Sequence, residues 1–178
     1  LLAEDYDAIL EIAREQVDGG AHALDISTAV TERSDELYLM RQVVKKLASG
    51  VEAPLVIDTT EPEVMEAALK TAPGRCLLNS THLEGGRAKA ERVFDLARRH
   101  NAAVLCLTID EKGMAKTAQE KLNVARRMYD MAVGEFGLRP EALVFDTLTF
   151  TLATGDPEFA NSAIETLEGI RRIKRELP

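Results

Sequence analysis

The chain has 178 residues, 46% of them hydrophobic, which is enough to bury the core of one structural unit. Its 30 acidic residues outnumber its 22 basic ones, giving a formal net charge of -8, and the basic residues are scattered rather than clustered with aromatics. This pattern does not favour a nucleic-acid partner. No stretch approaches the roughly 20 apolar residues of a membrane span, and the first residues lack the features of a secretory signal, so no membrane partner is expected.

The two cysteines, Cys76 and Cys106, both lie inside apolar runs. Buried free thiols are therefore expected rather than a disulfide, which favours a reducing compartment and predicts a cytoplasmic location. Leu1 opens directly into a helical pattern and Pro178 follows a helix stop, so we expect the chain to be a segment of a longer polypeptide.

Short apolar runs alternate with amphipathic stretches along the whole chain, which predicts strand, loop and helix in turn. The first amphipathic stretch precedes the first apolar run and ends at Gly19-Gly20, and Pro62 marks the start of another helix. No Ser-rich or Pro-rich linker interrupts the pattern, so residues 1–178 are interpreted as one domain. The predicted strands are 23–27, 55–59, 76–80, 103–110 and 142–148, and the predicted helices are 4–18, 34–49, 61–72, 84–100, 117–136 and 158–176.

Alternating strands and helices with short loops predict an α/β fold with a parallel sheet and right-handed crossovers. An open doubly wound sheet and a (βα)8 barrel both have this pattern. The regular repeat, the absence of a Gly-rich phosphate fingerprint and the polar residues at the strand ends favour the barrel. Since five strands are predicted, we expect a partial barrel whose open edges leave interior side chains such as Val144 partly exposed.

Each predicted strand has an acid or an amide at or near its carboxyl end, and side chains two positions apart on a strand share a face. The residues two positions earlier are small or apolar, as a barrel interior requires. Acids that converge at a barrel mouth without nearby Lys or Arg need an external donor, which can be a ligand with N–H groups or a metal ion. The strand-end residues are Asp25, Asp58, Asn79, Asp110 and Asp146, and the residues that share their faces are Ala23, Val56, Leu77, Thr108 and Val144.

Five motifs around these strand ends resemble, in order, the pterin-binding domain of cobalamin-dependent methionine synthases. The resemblance covers essentially the whole chain. Ile57-Asp58-Thr59 and Leu78-Asn79-Ser80 are short and are shared with dihydropteroate synthases and corrinoid-linked methyltransferases, whereas residues 110–115 and 145–155 are more specific. The motifs are Ala-His-Ala-Leu-Asp-Ile at 21–26, Ile-Asp-Thr-Thr at 57–60, Leu-Asn-Ser at 78–80, Thr-Ile-Asp-Glu-Lys-Gly-Met-Ala at 108–115, and Phe-Asp-Thr-Leu-Thr-Phe at 145–150 followed by Ala-Thr-Gly at 153–155.

The resemblance implies a (βα)8 barrel of the pterin-binding, dihydropteroate synthase-like type. Such a barrel binds 5-methyltetrahydrofolate as substrate and positions its N5-methyl group for transfer to cob(I)alamin, in the synthesis of methionine from homocysteine. The chain would then be one domain of a methyltransferase, without a metal of its own. Cobalamin and homocysteine would be bound by other modules.

The same resemblance implies which residues contact the pterin ring. Asp58, Asn79 and Asp146 look like the pterin contacts, and Asp110 looks like a further residue of the pocket. Supporting roles are expected for Asp25, Ser27 and Ser80, although many relatives have Asn at the position of Ser27. The chemistry agrees, because the N3–H and 2-amino groups of a pterin fit one carboxylate as a fork, and an Asn amide can both donate and accept. No catalytic residue is assigned, and an indirect network of Asp, Asn and water is expected to supply the proton that N5 needs.

Two other functions are compatible with the strand-end acids. One is a divalent-metal-dependent barrel enzyme in which these acids ligate Mg²⁺, although no strand end offers the Lys or His base that such chemistry usually needs. The other is a folate-binding module without catalysis of its own.

Overall fold

The computed structural model describes residues 1–151, 153, 155 and 157–177, so Thr154 and Pro178 lie outside the described residues. Helices and parallel strands alternate along this part of the chain, and the predicted α/β class is confirmed. The helices are α1 (Tyr6–Asp18), α2 (Glu36–Ala48), α3 (Pro62–Leu69), α4 (Ala88–His100), α5 (Ala118–Tyr129) and α6 (Ser162–Glu176). The strands are β1 (Leu24–Ser27), β2 (Leu55–Asp58), β3 (Leu77–Thr81), β4 (Ala103–Leu107), β5 (Ile109–Asp110), β6 (Gly113–Met114) and β7 (Leu143–Asp146).

The main sheet has five strands in the order β1-β2-β3-β4-β7, and β5 and β6 form a separate two-stranded sheet. The chain divides into two compact units, each described by itself below. Unit 1 comprises Leu1–Asn79 and Arg99–Ala103, and unit 2 comprises Ser80–Arg98 and Val104–Pro178.

In unit 1, β1, β2 and β3 pair in parallel, and their side chains alternate between two faces. One face is apolar and buried, with Leu24 and Ile26 of β1 and Ile57 of β2 at 5% exposure or less. The apolar residues of helices α1, α2 and α3 are buried in the same unit. Helix α1 begins at an N-cap, in which the Ala8 amide donates a hydrogen bond to Asp5 Oδ1 over 3.0 Å. The opposite face of the strands therefore carries the polar strand ends.

In unit 2, β4 and β7 pair in parallel, and α5 packs against α6. Leu122, Ala125 and Ile173 form a buried cluster between these two helices, and Phe145 of β7 packs against it. Helix α5 begins at a capping box, because the Thr117 hydroxyl accepts from the Glu120 amide and the Glu120 carboxylate accepts from the Thr117 amide. This box fixes the loop that joins the β5–β6 hairpin to α5.

Two predicted strands, 103–110 and 142–148, were too long, and the second is confined to Leu143–Asp146. Strand β4 ends at Leu107, and Asp110 pairs with Gly113 in the hairpin. The chain turns away because the Thr108 amide donates to the Asp146 carbonyl and the Thr108 carbonyl accepts from the Ala115 amide, each over 3.0 Å. Gly113 has a φ of +97°, a turn conformation that suits glycine. Asp110 thus belongs to the two-stranded hairpin and not to the main sheet.

Several helix ends also differ from prediction. Helix α4 begins at Ala88 instead of residue 84, after a turn in which Gly86 adopts a φ of +85°. The predicted helix 117–136 is α5 followed by a π-helical turn at Asp130–Glu135, and α6 begins at Ser162 after a separate 3-10 turn at Pro157–Phe159.

Both cysteines are free and buried, as predicted, with Cys76 in unit 1 and Cys106 in unit 2. Burial raises the pKa of each thiol above its ordinary value. Within the described part of the chain, no helix is long and apolar enough to cross a membrane.

Candidate functional site

Three of the predicted strand-end residues lie together in unit 1. Asp58 of β2 pairs in register with Ser27 of β1 on one side and with Asn79 of β3 on the other. The Asn79 amide nitrogen donates a hydrogen bond to Asp25 Oδ2 over 3.2 Å. Two carboxylates and one amide therefore share the less buried face of three neighbouring strands, at the carboxyl ends of those strands.

The Asp58 carboxylate is the electrostatically unusual member of this group. Its side chain is half-buried, and it accepts no hydrogen bond from any residue that the structure describes. Burial raises the pKa of the Asp58 carboxyl, and the negative charges of Asp25 and Glu36 raise it further. Asp58 is thus an acceptor that lacks a donor, in a location that penalises its charge.

Glu36 was not identified from the sequence. It begins α2, and its carboxylate Oε1 accepts a hydrogen bond from Thr59 Oγ1 over 2.6 Å. Thr59 is buried, and its hydroxyl also accepts from the Glu61 amide over 3.2 Å. These contacts fix the turn that follows Asp58 and place an additional negative charge near it.

The two predicted supporting serines are placed differently. Ser27 is exposed and lies opposite Asp58, and a groove of about 200 Å³ between α1 and β1 reaches both Ser27 and Asp25. Ser80 is half-buried in β3, immediately after Asn79.

In unit 2, Asp146 ends β7 opposite Leu107 of β4. Its Oδ1 accepts the Leu148 amide over 2.8 Å, and its backbone carbonyl accepts from the amide and the hydroxyl of Thr108. One carboxylate oxygen thus shapes the loop that follows the strand, which is the turn-forming role that Asp commonly has. The other oxygen, Oδ2, makes no hydrogen bond to the described residues.

Asp110 already has donors within the chain. Its Oδ1 accepts the Lys112 amide over 2.9 Å, and its Oδ2 lies 3.3 Å from Arg127 Nη1. Arg127 also binds both carboxylate oxygens of Glu111, which lowers the pKa of Glu111 to about 2. The expectation that no Arg lies near the strand-end acids was therefore wrong for Asp110, because α5 brings Arg127 back to the hairpin.

A cavity of about 280 Å³ lies beside this hairpin. Asp110, Lys112, Glu120 and Asn123 contribute polar groups to its lining, so Asp110 remains accessible to a small molecule from this side. Among the residues with described positions, no three His, Cys, Asp or Glu side chains are arranged to hold a metal ion.

The family model described as "Pterin binding enzyme" matches residues 1–178. The chain belongs to this family. The methionine synthases of Mycobacterium tuberculosis (strain ATCC 25618 / H37Rv) and Mycobacterium leprae (strain TN) are 39% and 38% identical to it over 181 residues. Each match covers 100% of this chain but only 15% of the relative, so the chain spans a small part of the curated relatives that it matches. The resemblance seen in the motifs is confirmed.

Solved structures confirm the fold of this chain. The dihydropteroate synthase from Xanthomonas albilineans in complex with 7,8-dihydropteroate has a TM-score of 0.65 at 20% identity, and the match covers 96% of this chain and 59% of that chain. The architecture is therefore that of the dihydropteroate synthase barrels, of which this chain carries five parallel strands.

Proposed function

We propose that this chain binds the pterin ring of 5-methyltetrahydrofolate and positions its N5-methyl group for transfer to cob(I)alamin, as the folate domain of a cobalamin-dependent methionine synthase. The family membership and the 39% identity to a methionine synthase support this proposal. Cobalamin and homocysteine would be bound by other modules, and the expected location is the cytoplasm.

The observation that carries the proposal is the half-buried Asp58 carboxylate, which lacks a donor among the described residues and has two other carboxylates nearby. A neutral ligand with N–H donors would stabilise this arrangement, because hydrogen bonding to the charged form offsets the cost of its desolvation. The pterin edge has such donors in its N3–H and 2-amino groups. Asn79 lies beside Asp58 and supplies an amide oxygen for a further ring donor, since its nitrogen already donates to Asp25.

We also propose Asp146 and Asp110 as pterin contacts, on the strength of the family motif. Asp146 keeps Oδ2 without a hydrogen bond to the described residues, which leaves it able to accept one from a ligand. Asp110 is held by Arg127 and the Lys112 amide, so we expect it to contribute to the wall of the pocket more than to the main recognition of the ring.

The chain's contribution to the chemistry is orientation. Cob(I)alamin, when presented by its own module, supplies the nucleophile, while this chain's acids and amide hold the ring and fix the position of N5. No described residue is assigned as the acid for N5.

The test is methyl transfer from 5-methyltetrahydrofolate to free cob(I)alamin, followed spectroscopically, with this chain extended by the strands that complete its barrel. We expect transfer and saturable folate binding in the extended polypeptide, and loss of both in Asp58→Ala. Folate binding without transfer would favour a non-catalytic folate module. A rise in melting temperature with Mg²⁺ and no response to folate would favour the metal-dependent enzyme and refute the proposal.

A further inference from the structure

Helix α5 buries a lysine in unit 2. Lys121 occupies the apolar side of the helix, one or two turns before Ala125 and Met128, and all three residues are 0% exposed. Burying an ammonium group is costly unless its hydrogen-bonding capacity is satisfied. The pKa of Lys121 is lowered by this burial, whereas nearby carboxylates, Asp146 first among them, act in the opposite direction.

Three backbone carbonyls accept the hydrogen bonds of this ammonium group. Lys121 Nζ lies 2.9 Å from the Ala115 oxygen, 2.5 Å from the Thr147 oxygen and 3.2 Å from the Leu148 oxygen. Protonated lysine has three N–H donors, so the number of donors equals the number of acceptors. Two of the three acceptors belong to the loop that follows β7, immediately after Asp146.

This loop has an unfavourable backbone conformation that needs external support. Leu148 has a φ of +52°, which non-glycine residues seldom adopt. Its amide donates to Asp146 Oδ1, and its carbonyl accepts both Lys121 Nζ and the Thr166 hydroxyl, the latter over 2.7 Å. The hydrogen bond from the Leu148 amide therefore links the backbone conformation of Leu148 to the orientation of the Asp146 carboxylate. Lys121 binds the carbonyl of the same Leu148.

Helix α6 leaves room for the lysine. A Cβ atom at Gly169 would lie 3.0 Å from Lys121 Cδ and 3.5 Å from Lys121 Cβ, so the absence of a side chain there lets the lysine stem pass. Packing against Gly169 limits the side-chain conformations of Lys121 and directs its ammonium group to the loop.

We propose that Lys121 is a positioning residue for ligand binding: through the carbonyls of Thr147 and Leu148 it holds the loop after β7 so that Asp146 presents its Oδ2 to the pterin ring. This inference rests on the proposed function of Asp146. It assigns to a helix residue outside the family motifs a role in the affinity for folate.

The experiment uses the extended polypeptide that completes the barrel and compares Lys121→Met, Asp146→Asn and Met128→Ala. Methionine keeps most of the length of the lysine stem but has no N–H donors. Asparagine at 146 removes the charge and keeps an oxygen for the Leu148 amide. Met128→Ala is the matched control, because Met128 is equally buried in α5 and its side chain donates no hydrogen bond to the loop. The readouts are 5-methyltetrahydrofolate affinity, melting temperature and hydrogen exchange of the Leu148 amide.

We expect Lys121→Met and Asp146→Asn each to weaken folate binding by about tenfold or more, as for disturbing a charged hydrogen-bond partner. Exchange at the Leu148 amide should accelerate in Lys121→Met more than exchange at α5 core amides. Met128→Ala should lower the melting temperature with less than about a twofold change in affinity, since it shares no partner with the loop.

Three outcomes would overturn the inference, and they separate its failure from that of the proposed function. Unchanged affinity in Asp146→Asn would remove the role of Asp146 itself. Weakened affinity in Asp146→Asn, with normal affinity and normal Leu148 exchange in Lys121→Met, would remove only the role of Lys121. If Met128→Ala and Lys121→Met have the same melting temperature and lose the same folate affinity, the loss in Lys121→Met comes from general destabilisation and not from the loop.

Discussion

Replacing Asp58 by Asn separates ligand binding from stability in unit 1. The change keeps the shape of the side chain and removes one negative charge from a group in which Asp25 and Glu36 already raise the pKa of Asp58. A carboxyl whose pKa is raised in the folded state lowers stability once it is ionised; this penalty is complete above the folded-state pKa, shrinks as the pH falls below it, and is gone below the unfolded-state pKa. Asp58→Asn should therefore raise the melting temperature at neutral pH and change it little under acidic conditions.

The effect on folate should have the opposite sign. A hydrogen bond to a charged group contributes about 1.5 to 3 kcal/mol, so losing the carboxylate should weaken 5-methyltetrahydrofolate binding by about 10- to 150-fold. Because the ligand donors favour the ionised carboxylate, affinity in the parent should fall as the pH drops through the pKa of Asp58. Asp58→Asn should lack this part of the pH dependence.

Calorimetry in the extended polypeptide at neutral and mildly acidic pH measures both effects, with thermal melting alongside. Asp18→Asn is the control, because it removes the same charge from an exposed position at the end of α1. An Asp58→Asn variant with parental folate affinity and an unchanged pH profile would refute the assignment of Asp58 as an acceptor that needs a ligand donor.

Three further predictions concern unit 2 and the barrel edge. Asp146→Ala should weaken folate binding by about 2 to 4 kcal/mol, the loss of a buried charged hydrogen-bond pair, and unchanged affinity in calorimetry would contradict its assignment. Gly169→Ala should lower the free energy of unfolding by about 1 to 3 kcal/mol in chemical denaturation, because the new Cβ would crowd the side chain of Lys121, which is held by its hydrogen bonds. A higher free energy of unfolding, as helix propensity alone predicts for Gly to Ala, would show that Lys121 is not fixed. Val144 is 44% exposed on β7, so the chain alone should be marginal or self-associating and should melt at a lower temperature than the extended polypeptide. Equal melting temperatures and equal rates of methyl transfer would show that the pocket is complete without further strands.

The strands and their polar ends were predictable because local pattern determines them. Asp25, Asp58 and Asn79 each follow an apolar run, and the alternation of side chains along β1, β2 and β3 is enough to place all three on one face. The family motifs were needed to assign these residues to pterin binding, but the residue pattern alone was enough to locate them.

The remaining features depend on contacts between residues that are distant in sequence. Asp110 is predicted in a strand because Thr108 and Ile109 are β-branched residues that strands favour, and only the hydrogen bonds of Thr108 to Asp146 and Ala115 show where the strand stops. Arg127 reaches the hairpin because α5 returns alongside it. Lys121 had one local signal, a charged residue on the apolar side of α5, but its acceptors after β7 are 26 and 27 residues away.

The two buried thiols offer intrinsic reporters of local opening. Cys76 belongs to unit 1 and is 3% exposed, while Cys106 belongs to unit 2 and is 0% exposed. Since only the exposed thiolate reacts with an alkylating reagent, and burial raises the pKa of both thiols, modification requires the surrounding strands to separate first. Timed alkylation followed by mass analysis of the peptides would then give an opening rate at each cysteine without added labels. Cys76 directly precedes β3 and Cys106 lies in β4, so bound folate would slow modification of the thiol whose neighbouring strand it stabilises.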